Sequence, residues 1–365
     1  MKWIISIVLI FVHLILFGQA EKSKLQVMAG KQGRYVVFPL LVKSPEIKWG
    51  AGAGGIVYFK FKKDSLTRTS NIKAVSFYTL RKQIVFASEG NIYFPNDRYI
   101  LHTILSFSHF PDKFWGLGNL TENDAVENYS ITQYDISPQL LRKIFAHLYA
   151  GLYYEFQHVF NFSYNKSGQS LFDTENIIGR EGGKISGLGY IFTWDSRNNA
   201  FSPSKGFYIQ YIAGQYDRII GSDFNFVIHD LDIRQYFSLK KERVLALQLN
   251  LISTNGGVPI RNLANIGSSS FMRGYYEGRY ADKNMMAVQA EFRTPLFGKI
   301  GGVIFAGTGR VGNSVSQLFQ LSDLKPCAGL GLRYAINQKE KLNLRLDGGF
   351  GKKSHGSYLN MGEAF

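Results

Sequence analysis

Arg243-Val244-Leu245-Ala246-Leu247-Gln248-Leu249-Asn250-Leu251-Ile252-Ser253 sets a leucine at every second position. In an extended chain Leu245, Leu247, Leu249 and Leu251 share one face, while Ala246, Gln248 and Asn250 share the other. A helix would scatter these leucines, because its faces repeat every 3.6 residues and not every two. Residues 341–350 repeat the pattern, with Leu342, Leu344 and Leu346 against Asn343, Arg345 and Asp347. So do residues 98–110, where Tyr99, Leu101, Leu105 and Phe107 oppose His102, Ser106 and Ser108. Segments of this length, apolar on one face and polar or small on the other, are the signature of transmembrane β-strands. Tyr and Phe recur at the segment ends, where a membrane barrel carries its aromatic girdles.

Working outward from this stretch, the chain offers about sixteen such segments, from 34–42 to 355–365. The connections between them alternate in length. Residues 111–127, 159–182, 254–282 and 313–323 are long, while 95–97, 143–144, 240–241 and 337–339 are short. Long loops on one parity and short turns on the other predict an all-β fold: an even-numbered antiparallel transmembrane barrel, entered from the periplasm.

Composition agrees with that class. Lys and Arg number 42 against 27 Asp and Glu, a formal charge of +15, and aromatic residues make up 15% of the 365. The mean hydropathy of −0.09 is that of a barrel whose alternating faces average out. High aromatic content with only 19% charged residues excludes an intrinsically disordered chain.

Residues 1–20 form a separate object. Lys2 precedes an apolar run from Trp3 to Phe17, and Gly18-Gln19-Ala20 offers a small-x-small cleavage site. The expectation is a cleaved signal peptide at 1–20, a short periplasmic tail at 21–33 and one barrel domain at 34–365. Beyond residue 20 no run of 18 apolar residues provides a spanning helix. A single cysteine, Cys327, rules out an internal disulfide framework and a multi-cysteine metal site.

Several motifs lose to plainer readings. Gly50-Ala51-Gly52-Ala53-Gly54-Gly55 fits G-x-G-x-x-G, but Ile56-Val57-Tyr58-Phe59 continues it as a strand where a dinucleotide site needs a helix. His102, His109, His147, His158, His229 and His355 make no close metal-binding pair. No G-x-S-x-G is present, so a lipid-modifying barrel enzyme has no positive support; neither an enzyme nor a cofactor is expected. Dispersed basic residues without an Arg-rich run argue against nucleic acid. Near the rims they suit anionic headgroups of outer-membrane lipids and lipopolysaccharide.

The informative constellation lies further on. Phe271-Met272-Arg273-Gly274-Tyr275 sits in the longest candidate loop. On the strand that follows it, Met285, Ala287, Gln289, Glu291 and Arg293 share a face opposite Met286, Val288, Ala290 and Phe292. Glu291 therefore points into the lumen, where a carboxylate needs a partner or water. Arg273, folded inward with its loop, is a fitting partner.

These residues resemble the BamA/TamA insertase and translocase superfamily, the bacterial surface antigens. Arg273-Gly274-Tyr275 is similar to that family's R-G-F/Y tip of the sixth outer loop, and Glu291 to the strand-borne acid that holds it. Asp195, Arg197, Asn199, Pro203 and Gly206 resemble its D-x-R-x-N…P-x-x-G turn. Phe114-Trp115-Gly116-Leu117-Gly118-Asn119 resembles F-x-G-x-G-N, and Phe365 its aromatic assembly signal, with Glu363 more polar than usual for that signal. Where the family's next strand reads F-x-D-x-G, this chain has Phe305-Ala306-Gly307-Thr308-Gly309. A single acidic partner for Arg273 is the expectation, since Gly307 replaces the second lumen acid. Residues 21–33 leave no room for a POTRA domain.

The resemblance implies an outer-membrane barrel of a Gram-negative bacterium, inserted by the barrel assembly machinery. Its implied work is protein insertion, secretion or envelope assembly by lateral opening, on unfolded outer-membrane proteins or with a separate POTRA-bearing partner. The alternative is a passive pore or structural barrel without insertase activity.

Overall fold

The computed structural model describes residues 34–61, 67–240, 242–337 and 341–365. The signal-peptide and tail expectations, residues 1–33, lie outside the described residues. Eighteen strands follow in chain order. The first six are β1 (Arg34–Ser44), β2 (Lys48–Phe59), β3 (Ser70–Thr79), β4 (Ile84–Tyr93), β5 (Tyr99–Phe114) and β6 (Glu127–Phe145). Next come β7 (Leu148–Tyr164), β8 (Gly183–Asp195), β9 (Gly206–Tyr216), β10 (Phe226–Ser238), β11 (Val244–Gly256) and β12 (Ala264–Ile266). The last are β13 (Tyr280–Asp282), β14 (Asn284–Phe297), β15 (Ile300–Gly312), β16 (Lys325–Asn337), β17 (Leu342–Gly351) and β18 (Ser354–Met361).

Sixteen of them close into one antiparallel barrel in sequence order, with β18 beside β1; β12 and β13 form a separate two-stranded ribbon within the β11–β14 loop. The ribbon, paired from Ala264↔Asp282 to Ile266↔Tyr280, ties the two ends of that loop together. A loop expected to be without strands thus has a stiff base.

Burial is inverted relative to a soluble protein. On β8, Leu188, Tyr190 and Phe192 are exposed while Ile185 and Ile191 are not, and on β16 Leu330, Leu332, Tyr334 and Ile336 all face outward. Conversely Gln289, Glu291, Arg293, Arg345 and Asp347 are buried. Apolar side chains outward and charges inward suit a sheet whose outer solvent is hydrocarbon. In β11, Gln248 and Ala246 are buried and Leu247 is exposed, as its leucine alternation requires.

Three boundaries differ instructively. The segments read as 128–142 and 145–158 run on to Phe145 and Tyr164, the strands β6 and β7. The added outer end of β7 pairs with the start of β6, Tyr129↔Tyr164 and Ser130↔Ser163, past a register shift. The segment read as 355–365 ends as β18 at Met361. There Gly362, at φ +83°, turns residues 363–365 out of the sheet.

Closure is uneven. β17 and β18 pair from Leu344↔Met361 to Gly351↔Ser354, and β1 and β2 along all of Arg34–Ser44. Between β1 and β18 the register holds one pair, Lys43↔Leu359. The seam joining the first strand to the last is the weakest line in the wall.

Candidate functional site: an ion cluster inside the barrel

Strand pairing decides which charges meet. β14 places Glu291 beside Ala246 of β11 and Phe305 of β15. On the far side of β16, β17 places Asp347 beside Gly331 and Arg345 beside Arg333. Small residues line the wall between them: a side chain at Gly331 would meet the Arg333 guanidinium, and one at Gly329 the Phe305 ring.

The loop tip occupies the space left open. Arg273 is fully buried; its Nη2 donates to Glu291 Oε2 at 2.6 Å and its Nη1 to Asp347 Oδ2 at 2.5 Å. Its guanidinium lies 3.6 Å from the centre of the Phe305 ring, a cation–π contact in a dry setting. The expectation of one acidic partner is corrected here. Asp347 supplies the second carboxylate from β17, three strands away from Glu291 around the wall. Gly307 has no room for an acid, since a Cβ there would stand 2.9 Å from Gln289 Cβ.

Backbone contacts fix the rest of the tip. Tyr358 of β18 accepts from the Gly274 N–H at 2.8 Å and donates to Tyr275 O at 3.2 Å. Ser354 Oγ donates to Gly274 O at 2.7 Å. The Tyr275 hydroxyl donates to Pro326 O and accepts from the Lys352 N–H; burial pushes it up to about 12. Met272 packs under the tip against the buried Cys327 thiol, which donates to its sulfur at 3.8 Å.

The cluster extends toward the short-turn end. Arg333 Nη1 donates to Asp347 Oδ1 at 2.6 Å and its Nε to Glu363 Oε2 at 2.7 Å. Asn343 Nδ2 donates to Glu363 Oε1. Glu363 is polar because it turns inward behind Gly362 and serves the lumen.

Arg293 ties together residues that sequence reading kept apart. Its Nε donates to Glu291 Oε1 at 2.7 Å, its Nη2 to Phe365 O at 2.8 Å and its Nη1 to Pro203 O at 3.3 Å. Phe365 is buried with Tyr236, Ala246 and Ala364 on the luminal side. The turn after β8 is held by Arg197, which grips Asp195 with Nε and Nη2 at 2.9 and 3.0 Å. Asn199 Oδ1 accepts from the Phe201 and Ser202 N–H groups. Gly206 closes the turn at φ +112°. Turn motif and Phe365 thus converge on one guanidinium, which is joined to the loop tip through Glu291.

Arg293→Lys keeps the charge but not a planar fork with three directed donors. It is expected to cost about 1–3 kcal/mol, read as a lower melting temperature of the detergent-solubilised barrel. A melting temperature equal to that of the parent would show that Arg293 contributes charge alone.

The F-x-G-x-G-N segment packs on the loop from the opposite side. Gly118 N donates to Ala281 O, Asn119 Nδ2 donates to Asp323 O, and Trp115 stands 5.1 Å from the Tyr276 ring, edge-on. The Gly50–Gly55 run lies within β2, where a side chain at Gly52 would strike Phe77 of β3. Those glycines serve strand packing.

A model described as the Omp85 superfamily domain matches residues 67–357. Among solved structures, BamA from Haemophilus ducreyi lacking POTRA domains 1–3 aligns with a TM-score of 0.58 at 12% identity, over 90% of this chain and 70% of that one. CdiB from Acinetobacter baumannii aligns at 0.54 and 14%, over 90% of this chain and 59% of its own. CdiB from Escherichia coli aligns at 0.55 and 8%, over 92% and 68%. At such identities these likenesses are of fold. No curated protein matches the chain. The domain match spans most of the barrel, including both acids, the arginines and the loop that joins them: the chain belongs to the Omp85 superfamily of outer-membrane β-barrels.

Proposed function

We propose that this barrel delivers polypeptides into or across the outer membrane, by parting β1 from β18. The observation that carries the reading is the seam, where pairing is confined to Lys43↔Leu359. An edge strand with unpaired N–H and C=O groups is a template for an incoming strand. The superfamily's working mode, barrels acting on substrate proteins with periplasmic POTRA domains, supports the reading. Unfolded outer-membrane proteins are the proposed cargo, delivered by a separate POTRA-bearing partner, with outer-membrane lipids around the seam. The loop filling the lumen weighs against a passive pore, because its buried charges are satisfied only while the tip stays docked.

The test is a disulfide across the seam, Lys43→Cys with Leu359→Cys, in a Cys327→Ala background. Directly paired strand positions lie within the Cα separation a disulfide tolerates. Oxidised barrel in liposomes is expected to lose the ability to fold a barrel substrate into the same membrane, and reductant should restore it. Substrate folding unaffected by oxidation would eliminate the seam as the route and leave the structural barrel standing.

A further inference from the structure

The loop that fills the lumen also crosses the seam. Gly274 and Tyr275 are held to β18 by Tyr358 and Ser354. Two residues on, the Glu277 N–H donates to Glu46 Oε1 at 2.7 Å, and Glu46 sits in the turn between β1 and β2. Residues 274–277 therefore bridge the last strand to the first hairpin at the long-loop end of the barrel. Glu46 is a firm anchor. It is buried, and its carbonyl accepts from Gln83 Nε2 at 3.1 Å, the amide that also donates to Pro111 O at 3.0 Å. Beside this bridge β1 meets β18 at Lys43↔Leu359.

The bridge also gathers like charges. Glu277 faces Glu46 of the β1–β2 turn and Asp112 of β5, with Arg261 of its own loop as the facing cation. Arg261 lies 3.6 Å from Asp112 Oδ2, so its charge is shared between acids. Asp112 accepts from the Tyr276 and Tyr129 hydroxyls at 2.8 and 3.1 Å. Arg81 of the β3–β4 turn stands 5.6 Å from the Tyr276 ring, and Tyr358 lies near Glu46 from β18. Glu277 still touches water, but enclosure by the barrel and then the charge of Glu46 push its carboxyl from the ordinary 4.5 up to about 7. Burial raises the Glu46 carboxyl as well.

We propose that Glu277 is a proton-operated latch on the seam. Protonated, it lets residues 274–277 hold β18 to the first hairpin; ionised, it is repelled from Glu46 and Asp112 and frees the seam to part. This regulation presupposes that the seam is the delivery route. A carboxyl raised in the docked loop holds its proton more tightly there than when undocked. Docking is therefore fully favoured below the ordinary 4.5 and weakens as pH climbs through the window to about 7. The latch is closed in acid and loose in mildly alkaline medium.

The test measures the seam itself. Nitroxide labels on Ile47→Cys and Lys352→Cys, in a Cys327→Ala background, flank the outer end of the seam, and their separation in liposomes is read by double electron–electron resonance. Between about pH 5.5 and about pH 8 the ratio of short to long separations should fall about tenfold, less than a fully dry carboxyl would give. Glu277→Gln, a neutral stand-in for the protonated acid, should keep the short separation at both values, with heat-modifiable gel migration confirming a folded barrel. A parent distribution that ignores pH, or a pH response that persists in folded Glu277→Gln, would overturn the latch. Substrate folding is followed in the same liposomes. A seam that responds to pH through Glu277 while substrate folding does not would uphold the latch and remove the delivery reading.

Discussion

Arg273→Ala is expected to undock the loop tip and lower the stability of the assembled barrel by about 2–4 kcal/mol, below the ~5 kcal/mol limit for orphaning a dry, buried charge. The size follows from what remains. Glu291 and Asp347 are both fully enclosed, and each would lose one charged donor. Glu291 would keep Arg293 at 2.7 Å, and Asp347 would keep Arg333 at 2.6 Å. These neighbours hold the penalty under the dry limit. Arg273→Lys should recover only part of the loss, since one ammonium cannot reach carboxylates on β14 and β17 with a pair of directed bonds. The wall itself should still close, because no strand pairing runs through the tip. Conductance should rise as the plug loosens. The measurement is a pair of double-mutant cycles, Arg273→Ala with Glu291→Ala and with Asp347→Ala, read by thermal unfolding. Residues sharing one network give strongly non-additive effects. Simple additivity in both cycles would mean that the arginine stabilises the loop by packing on Phe305 and not by charge.

Much of the barrel was legible because the hydrocarbon enforces a two-residue rhythm on the outer face. β8 and β15 were read with both ends in place, each bounded by glycines or turn residues next to a full alternation. β7 outruns the segment read as 145–158 because its outer end stands beyond the apolar band. There Asn161 and Ser163 continue the strand with no lipid-facing partner to mark it. Glu291 was assigned inward by parity alone. Asp347 lay on the polar face of the 341–350 alternation, between Arg345 and Gly349, yet nothing local linked it to an arginine 74 residues away. That link exists only because β14 and β17 curve around the same lumen. Likewise Arg293 was visible as an inward residue, but its bonds to Pro203 and Phe365 depend on Gly362 turning the chain inward. Alternation reports which side a residue faces. It does not report which distant residue it faces.

Gly349→Ala is expected to dislodge the loop as effectively as removing a charge, though it touches no ionisable group. The tip lies on β17 backbone to backbone. A Cβ at Gly349 would stand 2.7 Å from Arg273 C and O and 2.8 Å from Gly274 N. Reciprocally, a Cβ at Gly274 would stand 2.7 Å from Phe350 C and 2.8 Å from its N. Neither neighbour can swing aside, because one belongs to a hydrogen-bonded strand and the other is held by Tyr358 and Ser354. Overpacking of this kind costs about 1–3 kcal/mol. Gly274→Ala should cost more, since its φ of +117° adds backbone strain of about 1–3 kcal/mol for a residue with a side chain. Gly348→Ala is the matched control: it sits one residue away on the opposite face, where a Cβ meets nothing within 4 Å. Limited proteolysis of the folded barrel reads the outcome directly. Cleavage within 257–283 should accelerate in Gly349→Ala and Gly274→Ala and stay at the parent rate in Gly348→Ala. If Gly349→Ala and Gly348→Ala are cut at the same rate, backbone contact with β17 does not hold the tip, and the charges of Arg273, Glu291 and Asp347 must hold it alone.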